Sequence, residues 1–458
     1  MTANPAATWL LEQETRALLT RLAGVRPFAL QETLVPAAAI SPAALSAIER
    51  YLIRGRQVVG GQVHEFLAWL HHKGRAAPPE EQQRRFTAVR LGFNNALSQM
   101  DLFSEVITQR SEHEIGVWLS GLDVAAAEAL LLPGHFYDAP PVITHLHRGL
   151  GGSIRRARTR LPGGGDNPVS IIRIPRERMI GYGVASSLVH EVGHQGAALL
   201  GLVESVRPVL RRRQLRGEHR DAWVLWDRWV SEVVADFWSI AKVGIASTLG
   251  LLGLVSLPRP FVFRVVPEDP HPFPWIRVLL SCAIGERLYA DGPHGQWHQL
   301  AALWQSLYST SGLQPRLRET MADLRQTMPE FVSLLAGHRP AALRGRSLAG
   351  VLAQPNRAPP QLISRYRSWR ADPSRMRTTP PTLTFAVLGQ ARASGLITPE
   401  RESALLRELI TDWALISTLE TARACAGVGL APMYLGQPAI WQLDDRNGAA
   451  DTITPRYA

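Results

Sequence analysis

The sequence predicts an α+β fold that is predominantly α-helical, with a small β-sheet among the helices. Three observations carry this prediction. Apolar residues recur at helical spacing over most of the 458-residue chain. β-branched runs are confined to two short stretches. Those stretches stand just before a long helical pattern rich in residues that can bind metals. With 46% apolar and 19% charged residues, the chain has the composition of a protein that buries a core.

Residues 1–138 read as an N-terminal helical region. Leu10, Leu11, Leu18, Leu19 and Leu22 open it, followed by Val63, Phe66, Leu67 and Leu70, then Phe86, Val89, Phe93 and Leu97, then Val117, Leu119 and Leu122. Pro78-Pro79 and Pro133-Gly134 are the breaks. Acidic residues interrupt the first segment and no basic stretch leads it, so it does not read as a signal peptide.

Residues 139–345 form the central unit. Val142–His147 and Val169–Ile174 are two strands that could pair as a ribbon, joined by a Gly- and Arg-rich connection through Gly163-Gly164-Gly165. His145 and His147 alternate on the first strand and point one way. An exposed strand face is the reading, with a cleft lining or a second ion site as the alternative. Helical patterns follow at about 183–200 and 221–245. The apolar run Val243–Leu257 is broken by Ser247, Thr248 and Ser256 and is shorter than the roughly 20 residues of a membrane span, so it reads as a buried helix. A proline-studded crossing, Pro258 to Pro274, leads to a helix from Trp275 to about Leu288. Residues 346–383 are a Pro- and Arg-rich linker or strap, read either as an extended segment that packs across the central unit and limits access to it or, equally, as a surface strap with no regulatory role. Residues 384–458 are a C-terminal helical region, with a helix at about Pro399–Ala424 and a tail. No repeat is evident, and nothing in the sequence signals an oligomeric state.

The net charge of +11 resides almost wholly in arginine, since Lys73 and Lys242 are the only lysines. Clusters at Arg155, Arg156, Arg158 and Arg160, and from Arg207 to Arg220, read as solvated faces, and no nucleic-acid partner is expected. The chain has two cysteines, Cys282 and Cys425, too few for a disulfide framework or a four-cysteine zinc module. Any metal must therefore be held by histidines and carboxylates. With no signal peptide and no transmembrane segment read, a soluble cytoplasmic protein is expected.

The chemistry concentrates in three short segments. His190-Glu191-x-x-His194 places two imidazoles four residues apart, on one face of a helix, where both can reach one ion. Glu191, about 100° further round, can reach a water at that ion and act as a general base. Gly193 costs about 1 kcal/mol relative to Ala within a helix, which points to a close neighbour on that face. Glu232 and Asp236, also four apart, lie on a strongly apolar helix. One carboxylate can bind the ion while the other accepts a ligand histidine's free ring N–H. His219, Glu204, Glu218 and Asp221 are rival third ligands from the connection between the helices. In Asp269-Pro270-His271-Pro272, the prolines stiffen the mounting of His271, suited to a side chain held near a reacting carbonyl; a plain loop terminator is the competing reading. Arg277 reads equally well as a surface arginine.

In order, His190-Glu191-x-x-His194, Glu232-x-x-Ala235-Asp236 and His271-Pro272-x-x-x-x-Arg277 resemble the gluzincin metallopeptidases, most of all the HtpX-like and CaaX-prenyl-type branch, over roughly residues 168–290. The resemblance implies a zincin-like catalytic core. It implies Zn2+ bound by His190, His194 and Glu232, with Asp236 supporting a ligand and Arg277 orienting carboxylates. It further implies Glu191 as the base that activates water and His271 as the group that stabilises the tetrahedral intermediate. The implied function is a zinc-dependent endopeptidase acting on a protein or peptide, with the strand around Ile171–Ile174 pairing with the extended substrate. Members of that branch commonly carry transmembrane helices, and none is read here. The alternative is a catalytically inactive zinc-binding scaffold that keeps the same helices as architecture.

Overall fold

The computed structural model describes residues 4–24, 34–149, 151–161, 164–178, 181–266, 268–292 and 294–426. Gly163, Pro267 and the tail after 426 lie outside the described residues. Helix accounts for 74% of the structure, with one three-stranded sheet, so the α+β, predominantly helical expectation holds.

Four helices lead: α1 (Pro5–Gly24), α2 (Pro42–His71), α3 (Pro79–Thr108) and α4 (His113–Leu130). Ser41 caps α2 by accepting the Ala44 N–H, and proline occupies the first turn of α2 and α3, where an N–H would have no helical partner. The sheet follows as β1 (Val142–His147), β2 (Ser153–Arg155) and β3 (Ser170–Pro175), in the order β1-β3-β2.

The ribbon expected from the two β-branched runs does not form. β1 and β3 pair in parallel, with Val142 opposite Ser170 and His147 opposite Pro175, while β2 pairs antiparallel with β3. Parallel neighbours need a crossover of a dozen or more residues, and the Gly- and Arg-rich connection provides it, with β2 formed inside it. Three residues, Ser-Ile-Arg, are too few to carry a readable alternation.

One sheet face turns Val142, Leu146, Ile172 and Ile174 toward the main core with α4 and the later helices. The other turns Ile143 and Ile171 toward α2 and α3, where Ile48 and Phe103 are fully buried. His145 lies on this second face, so the exposed strand expected for it is instead buried, with His145 1% accessible and neither ring nitrogen hydrogen-bonded. Burial, reinforced by Arg173, His147 and Arg110 nearby, lowers its pKa to about 4.

The central helices are α5 (Tyr182–Leu199), α6 (Leu202–Gln214), α7 (Arg220–Val243) and α8 (Ile245–Val255). The buried helix expected from the apolar run is α8, and among the described residues no helix is long and apolar enough to cross a membrane. The second arginine cluster runs from α6 to the start of α7; on α6, Arg207 and Arg211 approach Asp227 and Arg213 pairs with Glu330.

α5 crosses α7 at backbone contact. A Cβ on Gly193 would stand 2.9 Å from the Ala235 Cα and carbonyl oxygen, and one on Gly196 would meet the Trp238 ring. This is the close neighbour that a glycine inside the first motif implies. Trp238 continues through to α4, where its indole N–H donates to the Ala129 carbonyl. Gln195 ties α5 to the sheet: its Oε1 accepts from the Ala157 N–H and the Ser170 hydroxyl, both at 2.9 Å.

The rest of the chain is helical: α9 (Arg259–Val262), α10 (Pro274–Tyr289), α11 (Gln296–Leu307), α12 (Pro315–Gly337), α13 (Leu348–Leu352), α14 (Pro359–Ala371), α15 (Ser374–Arg377), α16 (Pro381–Ala393) and α17 (Pro399–Cys425). The strap expected at 346–383 is therefore mostly helix. Its prolines open helices at Pro359 and Pro381, because a fixed φ suits a first helical turn as well as it suits an extended chain. The C-terminal region is built into the main core with the central helices. Leu383, Phe385 and Leu388 of α16, with Leu406, Ile410 and Trp413 of α17, are buried in the main core. The Glu128 carboxylate of α4 accepts from the N–H and hydroxyl of Thr382.

Two outcomes follow from this packing. Gly193→Ala should lower the thermal unfolding midpoint: the better helix former gains about 1 kcal/mol locally, but a methyl pressed against backbone costs about 1–3 kcal/mol. A variant as stable as wild type would contradict the close crossing. Second, because His145 is neutral in the fold down to about pH 4 and protonates near pH 6.5 when unfolded, its contribution is intact above pH 6.5 and lost as pH falls to 4. The loss amounts to about 3 kcal/mol. Urea unfolding of wild type and His145→Leu at pH 7 and pH 4 measures it, and the variant should lose that much less stability between the two.

Candidate metal centre

Four elements bring the sequence-predicted residues to one place. α5 presents His190 and His194 one turn apart, their rings edge-to-face with centroids 4.8 Å apart. α7, held against α5 by the glycine crossing, presents Glu232 and Asp236 at the same spacing. The loop before α10 delivers His271, and the first turns of α10 deliver Arg277.

Glu232 lies at the centre. Its Oε2 is 3.3 Å from His190 Nε2 and its Oε1 is 3.4 Å from His194 Nε2. His190, His194 and Glu232 can offer three donor atoms lying within 4.8 Å of one another, a group that could hold a metal ion. Donors bound at about 2.0–2.1 Å to one tetrahedral ion sit about 3.3–3.4 Å apart; each imidazole nitrogen stands at that spacing from a carboxylate oxygen, His190 from Oε2 and His194 from Oε1. Glu232 Oε2 is also buried and makes no hydrogen bond, as befits an atom whose partner is an ion. Among the described residues no other group of histidine, cysteine and carboxylate side chains converges in this way. Of the rival ligands, His219 is paired instead with Asp323, at 2.9 Å.

Asp236 stands behind the ligands. Its Oδ1 is 2.8 Å from His190 Nδ1, the position from which it would hold that ring with Nε2 turned toward an ion. Arg277 grips the same carboxylate from the far side, donating from Nε at 2.8 Å and Nη2 at 2.9 Å, and its Nη2 is 3.6 Å from Glu232 Oε2. Arg277 is thus a buried orienting group and not a surface arginine.

The electrostatics follow from this arrangement. Burial works against a charged Glu232, yet His190 and His194 hold its carboxyl far below the usual range. Burial likewise opposes the charge on Asp236, and Arg277 with His190 overcomes it. Burial also disfavours a charged His190, but Asp236 outweighs it and raises the pKa to about 10. Glu191 differs: burial dominates and raises its pKa despite the neighbouring His190 and His194. Its carboxylate sits against Gly152, where a Cβ would come within 2.8 Å of Oε1.

His271 is half exposed, at the mouth of the site. Its Nε2 is 3.4 Å from Glu232 Oε2. Asp269 accepts both the His271 backbone N–H, at 2.9 Å, and the ring Nδ1–H, at 2.7 Å. This Asx turn fixes the ring with Nε2 facing inward, and the surrounding donors hold Asp269 below its ordinary pKa although burial acts the other way.

Every residue singled out from the motifs is therefore in one cluster. His145 and His147 are not part of it. Three contributors were not assigned from sequence: Asp269, Gly152 and Gln195. Asp-Pro-His is a local turn signal for the first, whereas nothing in the sequence marks the other two.

If these residues bind one ion, elemental analysis of His194→Ala and Glu232→Ala should find at most a tenth of the metal carried by wild type. Asp236→Asn, which keeps the ligands, should weaken binding about 10–100-fold. Full metal occupancy in both alanine variants would place the ion elsewhere.

No protein-family model matches the chain, and no curated protein or solved structure is recognisably similar to it; what the site does rests on its own geometry.

Proposed function

We propose that the protein is a zinc-dependent metalloendopeptidase of gluzincin type, hydrolysing peptide bonds with Glu191 as general base. The observation that carries this reading is the juxtaposition of the His190, His194 and Glu232 donor atoms with an intact glutamate one residue along α5. A purely architectural metal site gains nothing from a buried carboxylate beside its ligands, and burying one is costly.

The donor set, two imidazoles and one carboxylate, suits zinc and leaves a position open. Zinc held there would supply Lewis acidity, polarising a peptide carbonyl and easing deprotonation of water. The chain's own residues supply the rest. Glu191 takes a proton from the attacking water at its carboxylate and returns it to the leaving amine, work suited to a carboxyl whose pKa is raised. With a proton on each ring nitrogen, His271 donates Nδ1–H to Asp269, which keeps the ring aimed, and Nε2–H to the oxygen that gains charge. Asp236 and Arg277 fix the His190 ring and the Glu232 carboxylate in place.

The sheet gives the substrate a different seat from the one the sequence suggests. β3 is paired on both edges, so it cannot take up a peptide. β1 and β2 are the edges; on β1 the Thr144 and Leu146 backbone is engaged by Asp123, Arg110 and Gln109, whereas β2 is preceded by Gly152, which lies against Glu191. An extended peptide added to β2 would pass directly over the base.

Glu191→Gln should retain wild-type metal content and thermal stability while losing at least 1,000-fold in peptide hydrolysis, because an amide cannot accept the proton. A Glu191→Gln protein that cleaves peptides at the wild-type rate would leave the scaffold reading as the better one.

A further inference from the structure

We propose that the hollow beside His271 is a specificity pocket that receives one large apolar side chain of the substrate, next to the scissile bond. The proposal deepens the peptidase reading and rests on it.

The hollow measures about 270 Å³ and shares His271, Asp269 and Arg277 with the site, so it adjoins the candidate centre on its His271 side. Its walls are Trp229, Val255, Leu257, Phe261, Val265 and Phe273. Trp229 and Phe273 pack edge-to-face with centroids 6.1 Å apart, which makes one wall rigid. Leu257 and Phe261 are 42% and 53% exposed in a chain that buries most of its aromatic residues, and both line this hollow. Whole-ligand pockets span roughly 300–1,000 Å³, so this one suits a single side chain. A larger hollow of about 350 Å³ between α2 and α3 holds none of the site residues.

The charges define what is excluded. The guanidinium of Arg277 is engaged by Asp236, and the carboxylate of Asp269 by His271. Arg264 is exposed at the rim and has no carboxylate partner among the described residues. A cationic side chain would meet an apolar interior and a like charge at its entrance; a large apolar one would cover wall surface now open to water. Four of the walls, Val255, Leu257, Phe261 and Val265, come from the end of α8 through the residues after α9, between the second and third motifs, whereas Trp229 and Phe273 belong to the motif-bearing segments themselves.

The test uses the full, zinc-loaded chain. Binding of N-acetyl-phenylalaninamide, N-acetyl-alaninamide and N-acetyl-lysinamide is followed by ligand-observed NMR, and a mixed peptide library is digested in parallel. Val265→Trp and, on the more exposed wall, Leu257→Trp fill the hollow without touching the machinery; melting curves identify the variant that is folded. The phenylalanine amide should bind at least tenfold more tightly than the other two and lose at least tenfold in the folded variant. Library cleavages should carry a large apolar residue at one fixed position beside the cut. Equal binding of the three amides, or binding indifferent to both substitutions, overturns the pocket. Cleavage without side-chain preference overturns it as well while leaving the peptidase reading intact. An uncut library with pocket-dependent binding instead removes the peptidase reading and leaves the pocket standing.

Discussion

The contact on which the site depends is the crossing of α5 over α7. Two glycines on α5, Gly193 and Gly196, let its backbone rest against Ala235 and Trp238, and this nearness brings the imidazoles of one helix to the carboxylates of the other. Helices in ordinary contact pack with axes 8–10 Å apart, and a pair of side chains that must share one ion tolerates little added distance. Trp238 continues the stack to α4 and Gln195 fastens α5 to the sheet, so the crossing is braced from both sides.

Around that crossing, the burial of so many ionisable groups is stable only because each has a partner of opposite character. Asp236 answers His190 and Arg277 at once, Glu232 answers both histidines, and Asp269 answers His271 at the rim. Taking away one member of a buried charged pair typically costs about 3–5 kcal/mol because the survivor stays uncompensated. Glu191 is the exception. It has no dedicated partner among these, and burial, with the nearby Glu232 carboxylate, sets the direction of its shift. A carboxylate left with its proton affinity raised, beside groups whose charges are fixed, is the arrangement expected of a base.

Much of this was legible in the sequence because it is periodic or local. Spacing of four residues placed His190 with His194 and Glu232 with Asp236, and Gly193 signalled the close helix contact. What the sequence hid depends on pairing across distance. β2 is three residues long and exists only through its register with β3, so the strand edge nearest Glu191 left no alternation to read. His145 looked like a residue on a polar strand face, yet the packing of α2 and α3 on that face buried it. Proline misled in the 346–383 stretch, since the same fixed φ begins a helix or holds an extended segment, and only the neighbouring core decides between them.

The placement of α4, α16 and α17 has a consequence for the order in which the protein can be assembled. The helices of the candidate metal site take the layer that covers them from both flanks: α4 precedes the sheet, and α16 and α17 follow more than a hundred residues after α7. During synthesis, α5 and α7 therefore emerge before the apolar surfaces of Phe385, Ile410 and Trp413 that complete their core have been made. Contacts of such long sequence separation form slowly and leave nonpolar surface uncovered in the interval. The core around α5 and α7 can therefore close only after α16 and α17 have been made, whatever the speed at which its local helices form.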